Sequence, residues 1–119
     1  MDTRPIKDVL AAHKEWLESN GERGERAELK GAVLQQADLH EANLERADLT
    51  GARMTVSDLM GANLKGANLS GADLWMSDMK DTILEGADLR GANLSEVTNL
   101  ASAQLDLAIT DDTTQLPQP

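Results

Sequence analysis

The chain has 119 residues, a length that supports one continuous core and excludes a two-lobed enzyme working in a cleft between lobes. Its formal charge is −10, and the acidity lies mainly in residues 27–110, which argues against direct binding of nucleic acid or of an anionic membrane, since both need clustered Lys and Arg. There is no Cys, Phe or Tyr, and Trp16 and Trp75 are the only aromatic residues besides histidine, so the apolar content is carried by Leu and Ala and a conventional mixed core is excluded.

The first predicted element is a helix over residues 5–19. Ile6, Val9, Leu10, His13, Trp16 and Leu17 fall on one stripe at helical spacing, Pro5 suits the first turn, and Asn20-Gly21 suits the end. His13 reads as a packed histidine, because no second His or acid is spaced to join it as a metal ligand or base. Residues 20–26 form a polar connector. Residues 1–26 are therefore expected as an N-terminal capping helix and connector, with docking to a partner as the alternative use of the helix. No apolar run approaches the ~20 residues of a membrane span, and no signal-peptide layout opens the chain, so a cytoplasmic protein without membrane contact is expected.

From Leu29 through Leu94 a Leu or Met falls at every fifth position, and two residues before each stands Ala, Ser or Thr, for fourteen consecutive units. A period of five fits neither regular element. On a helix each step of five rotates the side chain by about 140°, which scatters the leucines round the cylinder. In a plain strand, odd spacing throws successive leucines onto opposite faces. The chain must therefore turn every five residues, with each Leu and the small residue before it pointing inward. Gly recurs two residues after the Leu, at the corner. After Ser95 one extra residue enters, and the pattern resumes at Leu100 and at Ala103-Gln104-Leu105. Leu105, Leu107, Ile109 and Leu116 interrupt the polar C-terminal stretch, and residues 111–119 are expected as a flexible tail. These apolar residues either fold back over the last coil or make a solenoid end into a homodimer contact.

Ala62-Asn63-Leu64, Ala67-Asn68-Leu69 and Ala72-Asp73-Leu74 resemble the A(D/N)Lxx consensus of the pentapeptide-repeat family, and the resemblance covers residues 27 to about 110. It implies an all-β solenoid, a right-handed quadrilateral parallel β-helix of about four coils with twenty residues in each. On that footing the inward columns are Leu29-Leu49-Leu69-Leu89, Leu34-Met54-Leu74-Leu94, Leu39-Leu59-Met79-Leu100 and Leu44-Leu64-Leu84-Leu105.

Stacking also turns outward residues into ladders about 4.8 Å apart. Glu45, Lys65 and Glu85 alternate in sign and are expected to support one another. Asp38, Asp58 and Asp78 form an acidic row, expected to raise at least one carboxylate pKa; the side chains either support the adjacent turns or form a cation or phosphate-mimicking site. Three parallel carboxylates are poor calcium ligands, and no metal or other cofactor is expected. Val56 and Met76 stack at one corner beside Trp75, with Met60 on the next face, and these four are the candidate protein-contact patch.

Nothing points to catalysis. There is no phosphate loop, no Cys or His cluster and no GxSxG; Ser57 and Ser77 take inward positions, His40 is a lone surface histidine, and a filled solenoid offers convex walls instead of a cleft. The sequence is therefore read as a non-enzymatic protein-interaction or scaffold module. The alternative, implied by family members that protect bacterial DNA gyrase, is an acidic DNA mimic.

Overall fold

The computed structural model describes residues 4–118; residues 1–3 and 119, the outermost parts of the expected N-terminal unit and tail, lie outside the described residues. Two helices are present, α1 (Ile6–Glu18) and α2 (Ser102–Asp106). Between them the chain winds through parallel bridges at a constant offset of twenty residues, from Glu28↔Asp48 to Asp78↔Thr98. Four residues bridge in each period, as in 28, 33, 38 and 43, so each turn of chain has four walls. The cross-section is nearly square, 24 × 22 Å, under a long axis of 43 Å.

The all-β expectation is met by isolated bridges and not by continuous strands. A wall is only three residues long before a corner interrupts it. Two hydrogen bonds flank each bridge: Leu49 N–H donates to the Asn68 carbonyl and Asn68 N–H to the Ala47 carbonyl. Each corner is closed by a bond such as Ala67 N–H to the Leu64 carbonyl, and its second residue takes positive φ. The inward Leu and Met side chains from Leu39 through Leu94 are almost wholly buried, Met54 and Met79 included. Full burial of each such side chain contributes about 1.5–3 kcal/mol before chain entropy is subtracted, so this column is the main stabilising term.

Ser57 and Ser77 interrupt the alanine column. Both hydroxyls donate to the Met54 carbonyl, at 2.8 and 2.7 Å, and Ser77 Oγ accepts the Ser57 N–H at 3.2 Å. A buried hydroxyl is tolerated because it is satisfied.

The C-terminal stretch departs from the expected layout. Thr98 pairs with Asp78, which sets Asn99 and not Leu100 above Met79. Leu100 and Leu105 are half-buried against the core, because α2 occupies the level where the third and fourth columns would end. The Gln104 side chain holds α2 down: its Nε2 donates to the Met79 and Thr82 carbonyls, both at 2.9 Å, and its Oε1 accepts Ala101 N–H. The boundary expected at 110 is crossed by pairing. Ile109 bridges Asp88, Gln115 bridges Asn93, and Thr114 is buried with its hydroxyl on the Leu89 carbonyl. The upper edge of the last full turn offers backbone groups that need partners, and the tail supplies them.

α1 packs its Val9 into the core cluster, with Ile6 and Leu10 against it. The connector returns so closely that a Cβ on Gly24, whose φ is +71°, would lie 2.3 Å from the Ala12 carbonyl oxygen. No helix among the described residues is long and apolar enough to cross a membrane.

Candidate functional site

Val56, Met60, Trp75 and Met76 are all exposed, at 44%, 39%, 41% and 46%. The ladder brings the first corner together: Val56 N–H donates to the Trp75 carbonyl at 2.8 Å, which stacks Val56 below Met76. Met60 follows the wall that Val56 precedes, so Ser57-Asp58-Leu59 lies between two apolar edges. The backbone geometry of the corner is costly. Val56 has φ +57° and Met76 φ +60°, in the left-handed region. That region costs an L-residue about 1–2 kcal/mol, and it is a rare place for a β-branched side chain. Equivalent corners elsewhere carry Gly, or the unbranched or polar Gln36, Glu41, Arg46, Asp81 and Glu96.

The acidic row is aligned as the stacking requires, Asp38↔Asp58↔Asp78. Each Oδ1 accepts the backbone N–H two residues on, from His40, Met60 and Lys80 at 3.3, 3.0 and 3.0 Å. Asn63 and Asn68 make the same bond, which explains why Asp and Asn alternate at this position. Asn99 Nδ2 also donates to Asp78 Oδ1, at 3.1 Å.

The expected rise in a carboxylate pKa meets the opposite result at Asp38. Its carboxyl is held below the ordinary value, first by the His40 side-chain hydrogen bond and then by the His40 backbone N–H. His40 is accordingly not a lone histidine: its Nδ1 lies 2.6 Å from Asp38 Oδ1, and this contact raises its pKa. Donor atoms of Asp38, His40 and Asp58 lie within 4.8 Å of one another, but two of the three residues are exposed and Asp38 is already engaged by His40.

The Glu45-Lys65-Glu85 ladder forms no ion pair among the described residues. Glu45 instead meets Asn63 Nδ2 at 3.4 Å and Arg46 Nε at 3.8 Å, because those groups reach it from the neighbouring wall and corner.

His13 is packed as expected and also bonded at both ring nitrogens. Ala27 N–H donates to Nδ1 at 2.9 Å, and Nε2–H donates to the Glu45 carbonyl at 2.8 Å, which defines a neutral imidazole. Burial lowers its pKa most; the bond to Glu45 opposes, while Arg26 and Arg46 lower it further. Trp16 stacks on the ring at 5.6 Å, and the Arg46 guanidinium lies over the indole at 5.1 Å. Beside α1 the walls are not simply convex. A groove of about 420 Å³ runs between Ile6, Val9, Leu29 and Leu34, and another of about 400 Å³ lies along Leu10, Lys14 and Leu17.

Sequence reasoning missed two further exposed apolar side chains, Val33 and Ile83. Both stand at the wall position usually filled by Asp or Asn, and alignment of the repeats by column exposes that departure.

Comparison with known proteins agrees with the ladder. The pentapeptide repeats family matches residues 27–66, 57–96 and 77–109, in eight copies. No curated protein sequence matches the chain. Among solved structures, alr5209, a pentapeptide repeat protein from Nostoc Pcc 7120, is 28% identical over 92% of this chain and 85% of its own, with a TM-score of 0.49. A pentapeptide repeat protein from the cyanobacterium Cyanothece 51142 is also 28% identical, over 81% of this chain and 68% of its own, with a TM-score of 0.36. Full-length QnrB1, a plasmid-mediated fluoroquinolone resistance protein, is 16% identical over 77% and 69%, with a TM-score of 0.30. The chain belongs to the pentapeptide-repeat family, whose members are right-handed quadrilateral β-helices.

Proposed function

We propose that this chain is a non-enzymatic protein-binding module, a solenoid of about four coils covered at its N-terminal end by α1, which presents Val56, Met60, Trp75 and Met76 to a partner. One observation carries the reading: apolar Val56 and Met76 occupy left-handed corner positions where Gly would fold at lower cost. Side chains kept against local backbone preference, exposed and beside an exposed Trp, fit a contact surface. The test is affinity purification from the native cell with wild type and Trp75→Ala in parallel, partners being identified by mass. A partner lost with Trp75→Ala supports the patch; a partner set unchanged by the substitution removes it.

A second reading, an acidic mimic of duplex DNA, draws on the stacked Asp38, Asp58 and Asp78. Their spacing of about 4.8 Å does not match the ~3.4 Å rise of a DNA strand, which weighs against it. Unchanged gyrase supercoiling at micromolar protein would eliminate this role.

A further inference from the structure

Resting on the reading that the Val56–Trp75 corner is a contact surface, we propose that the adjoining wall, with Asp58 and Asp78 at its centre, docks a basic amphipathic helix of a partner protein. Along the chain, Val56 and Met76 enter this wall and Met60 leaves it, so carboxylates at its middle are flanked by exposed apolar side chains on both corners. The wall, three residues of extended backbone, is about 10 Å wide, which matches the diameter of one helix.

Chemistry and spacing agree on that occupant. Asp58 and Asp78 each use Oδ1 for the turn, and their Oδ2 atoms take no hydrogen bond among the described residues. Asp38 continues the row, and Asp73, Asp81 and Glu96 stand on the neighbouring wall and corners, against Arg53, Lys80 and the His40 already bound to Asp38. The sector is thus predominantly acidic, and it complements Lys and Arg, not another acidic surface. Carboxylates repeat at about 4.8 Å along the solenoid, and the turns of a helix repeat at about 5.4 Å, a mismatch that long Lys and Arg side chains absorb. An amphipathic partner helix sets its apolar residues against Trp75, Met76 and Met60 while its cations reach the row.

The charge variants that test this keep the parent's turns. Asn at the Asp position keeps the Oδ1 turn bond, as Asn63 and Asn68 show, so Asp58→Asn with Asp78→Asn removes charge alone. The full chain is titrated calorimetrically with an eighteen-residue amphipathic Lys/Leu peptide and with its Glu/Leu counterpart. Binding of the Lys/Leu peptide alone is expected, weakened at least tenfold by the double Asn variant and by Trp75→Ala. If Trp75→Ala weakens binding and the double Asn variant does not, or if the Glu/Leu peptide binds equally, the basic-helix assignment is overturned while the patch stands. Light scattering in which wild type is a dimer and Trp75→Ala a monomer makes a second copy the occupant and overturns the assignment too. A native partner retained by Trp75→Ala in the purification above overturns the patch itself.

Discussion

His13 and Ala27 are joined by a hydrogen bond in which the buried imidazole accepts, through Nδ1, the backbone N–H that begins the first wall. Protonation at Nδ1 would set two donors face to face. The folded pKa lies below 6.5, so the unfolded chain takes up the proton first as pH falls. Stability from this contact is complete above about 6.5 and is lost as pH drops through the lower folded value. His40 has the opposite sign: its raised pKa gives an exposed contribution present at low pH and lost as pH rises through that raised value. Urea midpoints of His40→Gln should fall between pH 7.5 and 5.5, and those of His13→Gln should be flatter over the same range. A midpoint that rises on acidification in the His40→Gln variant would contradict the neutral His13 ring.

Gly24→Ala should be among the most damaging single-atom additions. The new Cβ meets the Ala12 carbonyl at 2.3 Å and Glu15 Cβ at 2.7 Å, in a residue with positive φ. We expect a loss of about 2–4 kcal/mol in urea unfolding, concentrated in α1, whose amides should exchange faster. Gly31→Ala, where a Cβ has nothing within 4 Å, should suffer only the backbone penalty.

Val56→Asn should stabilise the protein while weakening its contact surface. Asn adopts the left-handed conformation readily, and Val56 is an exposed corner residue outside the inward column, so the core is left intact. A gain of about 0.5–1 kcal/mol in urea unfolding, together with weaker binding of the Lys/Leu peptide, is the expected pair of results.

Truncation of the inward column should depend on height. Leu69→Ala, in the closed middle, should cost about 2–5 kcal/mol; Leu34→Ala, half-buried beside the groove under α1, should cost clearly less because solvent already reaches it. Equal costs in urea unfolding would mean that the groove is closed in solution.

Gln104→Ala removes two donors that reach the Met79 and Thr82 carbonyls, and should cost about 1–2 kcal/mol. Faster amide exchange confined to Ser102–Ala108 is the expected signature, because only that stretch is held by the amide.

The repeat was legible because its period admits no ordinary element: a Leu every five residues forces corners, and Leu69 over Leu49 follows once the turn length is known. His13 was readable as packed, but its bonds to Ala27 and Glu45 were not, since they span 14 and 32 residues of sequence and depend on how α1 packs against the core. The His40–Asp38 contact lay two residues apart and was within reach, because a wall residue and the corner residue two further on share one turn. The end of the stack was misjudged for a physical reason. The extra residue expected after Ser95 does not shift the ladder, which keeps its twenty-residue frame through Thr98, so Asn99 takes the place expected for Leu100, and the resumed apolar spacing belongs to α2 and its flanks, not to a column.

A ladder with a fixed twenty-residue offset has no intrinsic stopping point, since each turn presents the same edge as the last. Here the bridges lengthen to 21 residues at Asp88↔Ile109 and 22 at Asn93↔Gln115. Each added residue enlarges the final loop relative to the one beneath it, so the topmost edge no longer reproduces the template on which another identical turn could register. The slip breaks the frame that every lower bridge shares.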